Sequence, residues 1–181
     1  MIYALLAVLL WPSDRPGQTG PFVAARAVGA PIARGLWLVL WGSLSYFAVL
    51  GANRSAHGLH NLITAEAIGE PRWVAWIDHH VASAVDHRGL AVTVVLAILL
   101  AMVALGAYLP GSLANATVGL AAVIGLTIWV VGENFGALFT NGATDVNSGP
   151  LLILLAAAYW RWTPRRHPAG AYEVALTMNG A

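Results

Sequence analysis

The chain has 181 residues, of which 59% are hydrophobic and only 9% are charged, and its formal net charge is +1. Soluble domains carry about 25% charged residues, so this composition excludes an ordinary water-soluble globule, and the high hydrophobicity excludes a disordered chain. The lack of Cys excludes disulfides, thiolate metal ligands and cysteine nucleophiles, and the near-zero charge excludes nucleic acid as a partner. These features predict a small integral membrane protein whose first partner is the lipid bilayer.

The first element is an apolar segment at residues 1–11, which is too short to cross a bilayer that requires about 20 residues. It has neither a basic region before it nor a small-residue cleavage site after it, which argues against a signal peptide. Two interpretations stay open: the end of a longer helix that starts outside this chain, or a re-entrant or interfacial piece. Residues 13–31 are rich in Pro and Gly and predict a cytoplasmic loop with a short amphipathic piece.

Four apolar runs predict membrane spans, at residues 35–52, 89–109, 113–131 and 150–162. The second and third are joined by so few residues that they must be antiparallel neighbours. The fourth is short, because its run gives roughly 18 Å of helix against a hydrocarbon core of about 30 Å. The predicted fold class is therefore all-α: residues 1–181 form a single polytopic transmembrane bundle of about four spans, with one additional interfacial helix.

The distribution of Arg predicts the orientation of these spans. One group precedes the first span and another follows the last, so four crossings place all six on one side: Arg15, Arg26, Arg34, Arg161, Arg165 and Arg166. Because basic residues are in excess on the cytoplasmic side, we expect a multi-pass protein of the cytoplasmic (inner) membrane, with residues 163–181 as a cytoplasmic tail. Residues 53–88 and 132–149 then both face outward, where they can meet.

Residues 71–88 predict an amphipathic helix that lies in the plane of the membrane interface. Five side chains form its apolar arc at helical spacing: Trp73, Val74, Ile77, Val81 and Val85. Trp73 and Trp76 suit the headgroup region of a bilayer. This helix and the loop before it also hold five of the six histidines: His57, His60, His79, His80 and His87.

Residues 132–150, which read GENFGALFTNGATDVNSGP, concentrate hydrogen-bonding side chains beside glycines. Polar residues just before Gly149 and Pro150 predict the start of a helix, and a helix N-terminus at membrane depth offers N–H groups to a ligand. We therefore predict a ligand pocket here, formed by Glu133, Asn134, Asp145, Asn147 and Ser148. The alternative is a self-capped outer loop whose polar groups satisfy one another.

The same segment resembles a signature of a group of actinobacterial polytopic membrane proteins to which no function is assigned. The shared pattern is G-x-x-F-G-x-x-F-T-x-x-x-T-D-x-N-S-G-P, followed by Leu-Leu and an apolar helix that ends in Tyr-Trp. A weaker similarity covers A-N-R at residues 52–54 and G-E-P-x-W at residues 69–73. The resemblance implies a membrane location and marks this segment as important, but it implies no activity.

His57 and His60 predict a metal site, because residues at i and i+3 share a helix face and can chelate one ion. In a chain without Cys the remaining ligand is a carboxylate, and His with carboxylate suits Zn or Cu(II). We predict a site of His57, His60 and Glu133, with Asp145 as an alternative to Glu133. A surface helix with solvated histidines and a pH sensor are the other interpretations.

Small residues recur along one face of the third span and beyond it: Ala114, Ala121, Gly125, Gly132 and Gly136. Such a face lets membrane helices approach closely, and an internal packing seam is the main interpretation. The alternative is that the Gly125/Gly132/Gly136 face binds a second copy of the chain or a membrane partner subunit.

Two functions follow from these features. The first is a binding or transport-type membrane protein with an outward-facing polar pocket, for which a divalent metal ion is a candidate ligand. The second is an accessory or scaffold subunit of a larger membrane assembly. An enzyme ranks third, because Ser43 and Ser45 have no His in the same segment and no nucleotide-binding motif is present.

Overall fold

The computed structural model describes residues 2–10, 20–140 and 147–161, and every regular element within these ranges is helical. The predicted all-α fold class is confirmed. Two predictions, the cytoplasmic tail at residues 163–181 and the role of Asp145, lie outside the described residues. The described part contains eight α-helices: α1 (Ile2–Leu9), α2 (Val23–Val28), α3 (Ala30–Ala48), α4 (Gly58–Glu66), α5 (Arg72–Val85), α6 (Gly89–Gly106), α7 (Gly111–Thr127) and α8 (Ser148–Tyr159).

Two helices in the described ranges are long and apolar enough to cross a membrane. They are α6 and the rod Gly111–Gly132, in which α7 continues through a π-helical turn, Ile128–Gly132. Only 39% of the α6 window and 28% of the rod are buried inside the chain, so most of both surfaces faces outward. Helix α3 is long enough at 19 residues, but its Trp, Ser and Arg residues lower its mean hydropathy, and it is not one of the two.

Four helices coincide with the four predicted apolar runs, but their first and last residues differ from the predicted ones: α3, α6, α7 and α8. Helix α3 begins at Ala30, five residues before the predicted start at residue 35, because Gly29 (φ 87°) ends α2 and Pro31 occupies the first turn of α3. It ends at Ala48, and a 3₁₀ turn, Gly51–Arg54, follows it. Pro31 is tolerated in the first turn of α3 because a backbone N–H at that position has no partner within the helix.

Helix α8 is the short apolar helix that the sequence predicts, and it is covered by protein on most sides. It has 12 residues, which corresponds to about 18 Å, and it packs against α7 with further contacts to α1 and α2. Seven of its residues are buried: Gly149, Leu151, Leu152, Leu155, Ala156, Ala158 and Tyr159.

The predicted seam of small residues packs within the chain at the crossing of α7 and α8. A Cβ on Gly125 would lie 3.2 Å from the carbonyl oxygen of Gly149, and a Cβ on Gly149 would overlap the Cβ of Trp129. Of the three glycines on the predicted partner face, Gly125 and Gly136 are buried inside the chain and Gly132 is exposed. Gly125 therefore serves the internal seam.

The end of the bundle near residue 159 is held by aromatic side chains with satisfied polar groups. The hydroxyl of Tyr159 donates to the carbonyl of Ala33 at 2.6 Å, and the indole N–H of Trp37 donates to the carbonyl of Val103 at 2.7 Å. The Tyr159 ring contacts Trp37 with centroids 4.4 Å apart and stacks on Phe22 at 5.1 Å. These bonds join α3 to α6 and α8 and satisfy the buried donors of Trp37 and Tyr159.

The segment at residues 53–88 contains two helices, of which the sequence predicted only the second. Helices α4 and α5 pack against each other, joined by a short connection at residues 67–71. They form an αα-hairpin, which contacts residues 132–139 as predicted: the ring of Trp73 lies 5.4 Å from Phe135 and 4.9 Å from Phe139. We call this pair of helices the α4–α5 hairpin.

The buried face of α5 differs from the predicted apolar arc. Val74, Asp78 and Ala82 are buried, whereas Trp73 and Trp76 are 47% and 60% exposed. With 100° per residue, the centre of this buried face lies about 70° around the helix axis from the centre of the predicted apolar arc. Both indoles are thus partly exposed, Trp73 at the edge of the contact with Phe135 and Phe139, and the carboxylate of Asp78 points into the protein.

Candidate metal centre and capping sites

The open end of the α4–α5 hairpin brings three potential metal ligands together. His57 directly precedes α4, and Asp86 and His87 directly follow α5, so an antiparallel hairpin places them side by side although 29 residues separate His57 from Asp86. Gly89 permits the approach, because a Cβ at that position would overlap the carbonyl oxygen of Ser55. Within the described residues, His57, Asp86 and His87 form the group whose ligand atoms all lie within 4.8 Å of one another.

The contacts in this group are direct. Nδ1 of His57 lies 2.7 Å from Oδ1 of Asp86, and Nε2 of His87 lies 3.5 Å from Oδ2. The two imidazole rings meet edge to face, with centroids 4.4 Å apart. The hydrogen bond from His57, together with the backbone N–H of His87, lowers the pKa of Asp86. The carboxylate is therefore ionised and available to a cation at neutral pH.

His87 takes its place because the helix ends before it. Its φ is +57°, a left-handed conformation that His adopts more readily than most residues. The chain therefore turns back at His87, and the ring reaches His57. The ring of His80, on α5 itself, lies against Trp76 with centroids 3.9 Å apart.

The predicted triplet of His57, His60 and Glu133 does not come together in the described structure. His60 is near the group, since its Nδ1 lies 3.9 Å from Oδ1 of Asp86, but that nitrogen donates to the carbonyl of Ala82 at 3.1 Å. His60 and His79 also line a separate cleft of about 480 Å³ along the hairpin. Glu133 is committed elsewhere, and Asp86 takes the place of the predicted carboxylate.

Glu133 caps the N-terminus of α8. Its Oε1 accepts the backbone N–H of Ser148 at 2.9 Å and also the Ser148 hydroxyl, and its Oε2 accepts the N–H of Gly149 at 2.9 Å. A carboxylate at this position is favoured both by the unpaired N–H groups and by the helix dipole. Two of the predicted pocket residues therefore satisfy each other, as in the self-capped alternative.

The other members of the predicted pocket have different surroundings. Asn147 is the residue before α8, but its side chain makes no capping hydrogen bond. Asn134 is buried, and its Nδ2 donates to the carbonyl of Glu66 at 2.7 Å, at the C-terminus of α4. The structure thus brings Glu133 to Ser148, and Asn134 to the α4–α5 hairpin.

An unusual backbone allows adjacent residues to reach two different helices. After the π-helical turn, four consecutive residues have positive φ: Asn134 (44°), Phe135 (58°), Gly136 (73°) and Ala137 (52°). Glycine accepts this conformation freely and Asn tolerates it, whereas it costs roughly 1–2 kcal/mol at each of Phe135 and Ala137. Within the described chain this strain concentrates where Asn134 enters the hairpin.

Three residues of interest were not among the predicted ligands or pocket residues: Asp86, His87 and Asp78. Asp86 and His87 directly follow an amphipathic helix, and 29 residues separate Asp86 from His57. They come together only because α4 and α5 form a hairpin, which the sequence did not predict. Asp78 lies between Val74 and Ala82 at steps of four. That spacing marks one helix face, but the more apolar face beside it was the stronger pattern.

Comparisons with family models, with curated proteins and with solved structures found no match in any of the three.

Proposed function

We propose that this chain is a multi-pass protein of the cytoplasmic membrane that binds a divalent transition metal, Zn²⁺ or Cu²⁺, on its outer face. The ligands are His57, Asp86 and His87. The observation that carries the proposal is the convergence of their three ligand atoms within 4.8 Å. This set of ligands includes neither Glu133 nor any residue of the segment 141–146.

The membrane part of the proposal is supported by the surfaces of α6 and α7. Large apolar side chains point away from the protein along α6, with Val95, Ile98 and Leu105 each more than half exposed. Soluble monomers rarely expose apolar patches larger than a few hundred Å², whereas lipid-facing helices are apolar all round. The similarity of residues 132–150 to an actinobacterial membrane-protein signature agrees with this location.

The donor set supports a transition metal. Two imidazoles and one carboxylate are borderline ligands that suit Zn²⁺ and Cu²⁺, and three protein ligands leave a coordination position open for water or a further group. The 3.5 Å separation of Nε2 of His87 from Oδ2 of Asp86 equals the spacing expected of two ligands about 2.1 Å from one ion.

Binding is favoured over transport, because no acidic side chain or histidine continues from the site into the helices that would span the membrane. Helices α6, α7 and α8 contain no charged residue, and α3 contains only Arg34. Polar groups in these helices bond to nearby backbone, as Ser45 does to the carbonyl of Ala97 at 2.8 Å. Ions that cross membranes follow polar or ionisable side chains, so the metal would act at the outer face.

The experiment that tests this function is metal analysis of detergent-purified protein together with its thermal shift on adding Zn²⁺ or Cu²⁺. A ligand that binds only the native state raises the unfolding temperature, so we expect a shift in the wild type that His57→Ala and His87→Ala abolish. His80→Ala is the matched control, because His80 is an exposed histidine on the same hairpin whose Nδ1 bonds to the carbonyl of Trp76 at 2.7 Å.

Two outcomes would overturn the metal proposal. In one, the wild type takes up neither metal; in the other, the His57→Ala and His87→Ala variants retain it in full. Either outcome favours the alternative function, an accessory or scaffold subunit, for which the outward apolar faces of α6 and α7 are the supporting feature.

A further inference from the structure

Asp78 is a fully buried carboxylate without a hydrogen-bond partner. Its exposed fraction is 0%, and neither Oδ1 nor Oδ2 accepts a hydrogen bond of acceptable geometry, although the Asn134 side chain lies close enough to lower the pKa of the carboxyl. It lies in the middle of α5, on the buried face of this helix, which packs against α4 and the turn Ile128–Gly132. Burial of an ionised carboxylate without compensation is strongly unfavourable.

Two further buried oxygens near Asp78 also lack donors. They are Oδ1 of Asn134, whose side chain is 2% exposed, and Oε2 of Glu70. The Asn134 amide lies beside Asp78, but its Nδ2 already donates to the carbonyl of Glu66 at 2.7 Å. In the described residues, the unpartnered buried side-chain oxygens are thus the two of Asp78, one of Asn134 and one of Glu70, and all four are acceptors.

The charges around Asp78 are mostly negative. Burial raises the pKa of Asp78; the Asn134 amide acts against that rise, the charge of Glu70 adds to it, His79 lowers the pKa and Glu66 raises it. Neither Arg nor Lys is among these influences. The influences that favour the ionised form are therefore limited to the neutral Asn134 amide and the charge of His79.

A proton alone satisfies only part of this arrangement. If Asp78 were protonated, its O–H could donate to Oδ1 of Asn134, but the second oxygen of Asp78 and Oε2 of Glu70 would still have no donor. A cation satisfies several acceptors at once. Oxygen-only donors from carboxylates and amides are the ligands of hard cations, and Ca²⁺ accepts irregular sets of them completed by water.

We infer that Asp78, Asn134 and Glu70 form a second cation site, specific for a hard divalent ion of the Ca²⁺ type and separate from the His57–Asp86–His87 group. The site lies inside the α4–α5 hairpin, where α5 meets residue 134. Ca²⁺ there would tie α5 to the strained turn at residues 134–137 and to the connection between α4 and α5.

The test is a Ca²⁺ titration of the full-length protein in detergent, stripped of divalent ions, with thermal unfolding as the readout. We expect a Ca²⁺-dependent rise in the unfolding temperature that Asp78→Asn abolishes and that Glu70→Gln shifts to at least tenfold higher Ca²⁺. Asp86→Asn is the matched control: it removes a carboxylate at the other site and should leave the Ca²⁺ response unchanged. Asp78→Asn keeps the shape of the side chain, and its unfolding transition without Ca²⁺ verifies that it folds.

Three results would overturn the inference. The first is the absence of a shift in the wild type at up to about 10 mM Ca²⁺, above the range of weak extracellular sites. The second is an equal shift in the wild type and in Asp78→Asn. The third is a wild type that responds to acidification but not to Ca²⁺, which would make a proton the ligand. Because the Zn²⁺ and Cu²⁺ experiment uses different variants, the two sites can fail independently.

Discussion

Glu133 and Asn134 are consecutive residues that cap opposite ends of two different helices. The Glu133 carboxylate accepts the N–H groups of Ser148 and Gly149 at the start of α8, and the Asn134 amide donates to the carbonyl of Glu66 at the end of α4. A negative group at an N-terminus and a donor at a C-terminus both match the helix dipole. This pair joins the bundle to the α4–α5 hairpin, and it places Asn134 beside Asp78.

Replacement of Glu133 by Ala should destabilise the protein without affecting metal binding. The variant leaves two backbone N–H groups and one hydroxyl without their acceptor, so we expect a loss of about 2 kcal/mol in the free energy of unfolding. The measurement is a denaturing-detergent titration. Ser148→Ala removes only the hydroxyl donor and should cost less than half as much. If Glu133→Ala instead abolished the Zn²⁺ shift at unchanged stability, Glu133 would be a ligand, as the sequence alone suggested.

The raised pKa of Asp78 predicts a pH dependence of stability in the absence of divalent ions. Because the folded state holds the Asp78 proton more tightly than the unfolded state, whose pKa is near the ordinary 3.8, protonation stabilises the fold. This contribution is complete below pH 3.8 and is lost as pH rises through the higher folded pKa. Asp78→Asn should therefore be more stable than the wild type at pH 7–8, and the difference should shrink on acidification.

Unfolding temperatures of both proteins between pH 4 and pH 8, measured with chelator present, check this prediction. An identical pH dependence in the two proteins would show that Asp78 has no raised pKa in the fold. Added Ca²⁺ should reverse the order at neutral pH, because only the wild type retains the ionised ligand.

Gly149→Ala should loosen the crossing of α7 and α8. The added Cβ would overlap the Cβ of Trp129 and lie 2.8 Å from the carbonyl oxygen of Gly125, and overpacking of this kind costs about 1–3 kcal/mol. Gly119→Ala on α7 is the control, because a Cβ there meets nothing within 4 Å. It should be neutral or stabilising, since Ala is favoured over Gly in helices by roughly 0.5–1 kcal/mol. Equal effects of the two substitutions in the same titration would contradict the close crossing.

Hydropathy predicted the long helices to within a few residues, because each is a continuous apolar run. It did not predict α4, whose sequence GLHNLITAE has no strong apolar pattern and whose stability depends on contacts with α5. Short helices of this kind derive their stability from tertiary packing rather than from local propensity. A single sequence therefore shows the membrane-type helices more clearly than the hairpin between them.

The sequence predicted which regions of the chain contain the candidate sites, but not which side chains contact one another there. His57 was recognised, and the predicted contact of residues 53–88 with residues 132–149 is found at residues 134–139. The carboxylate beside His57 is nevertheless Asp86, because the hairpin folds back on itself. Glu133 was taken for a ligand because a helix cap formed by a residue 15 positions away has no local signature. Asp78 was missed because the protein-facing side of an amphipathic helix need not be its most apolar side.

The orientation of α6 can be measured by labelling the residues on either side of it. The excess of Arg on one side predicts that the α4–α5 hairpin is outside and that the short connection between α6 and α7 is cytoplasmic. The chain has no Cys, so single cysteines can be introduced at exposed Ser83 on α5 and at exposed Ser112 at the start of α7.

In intact cells, a membrane-impermeant maleimide should label Ser83→Cys, and it should label Ser112→Cys only after permeabilisation. The Cys-free parent controls for background. Labelling of both sites in intact cells would mean that α6, which lies between them, does not cross the membrane, and the reverse pattern would place the metal ligands in the cytoplasm.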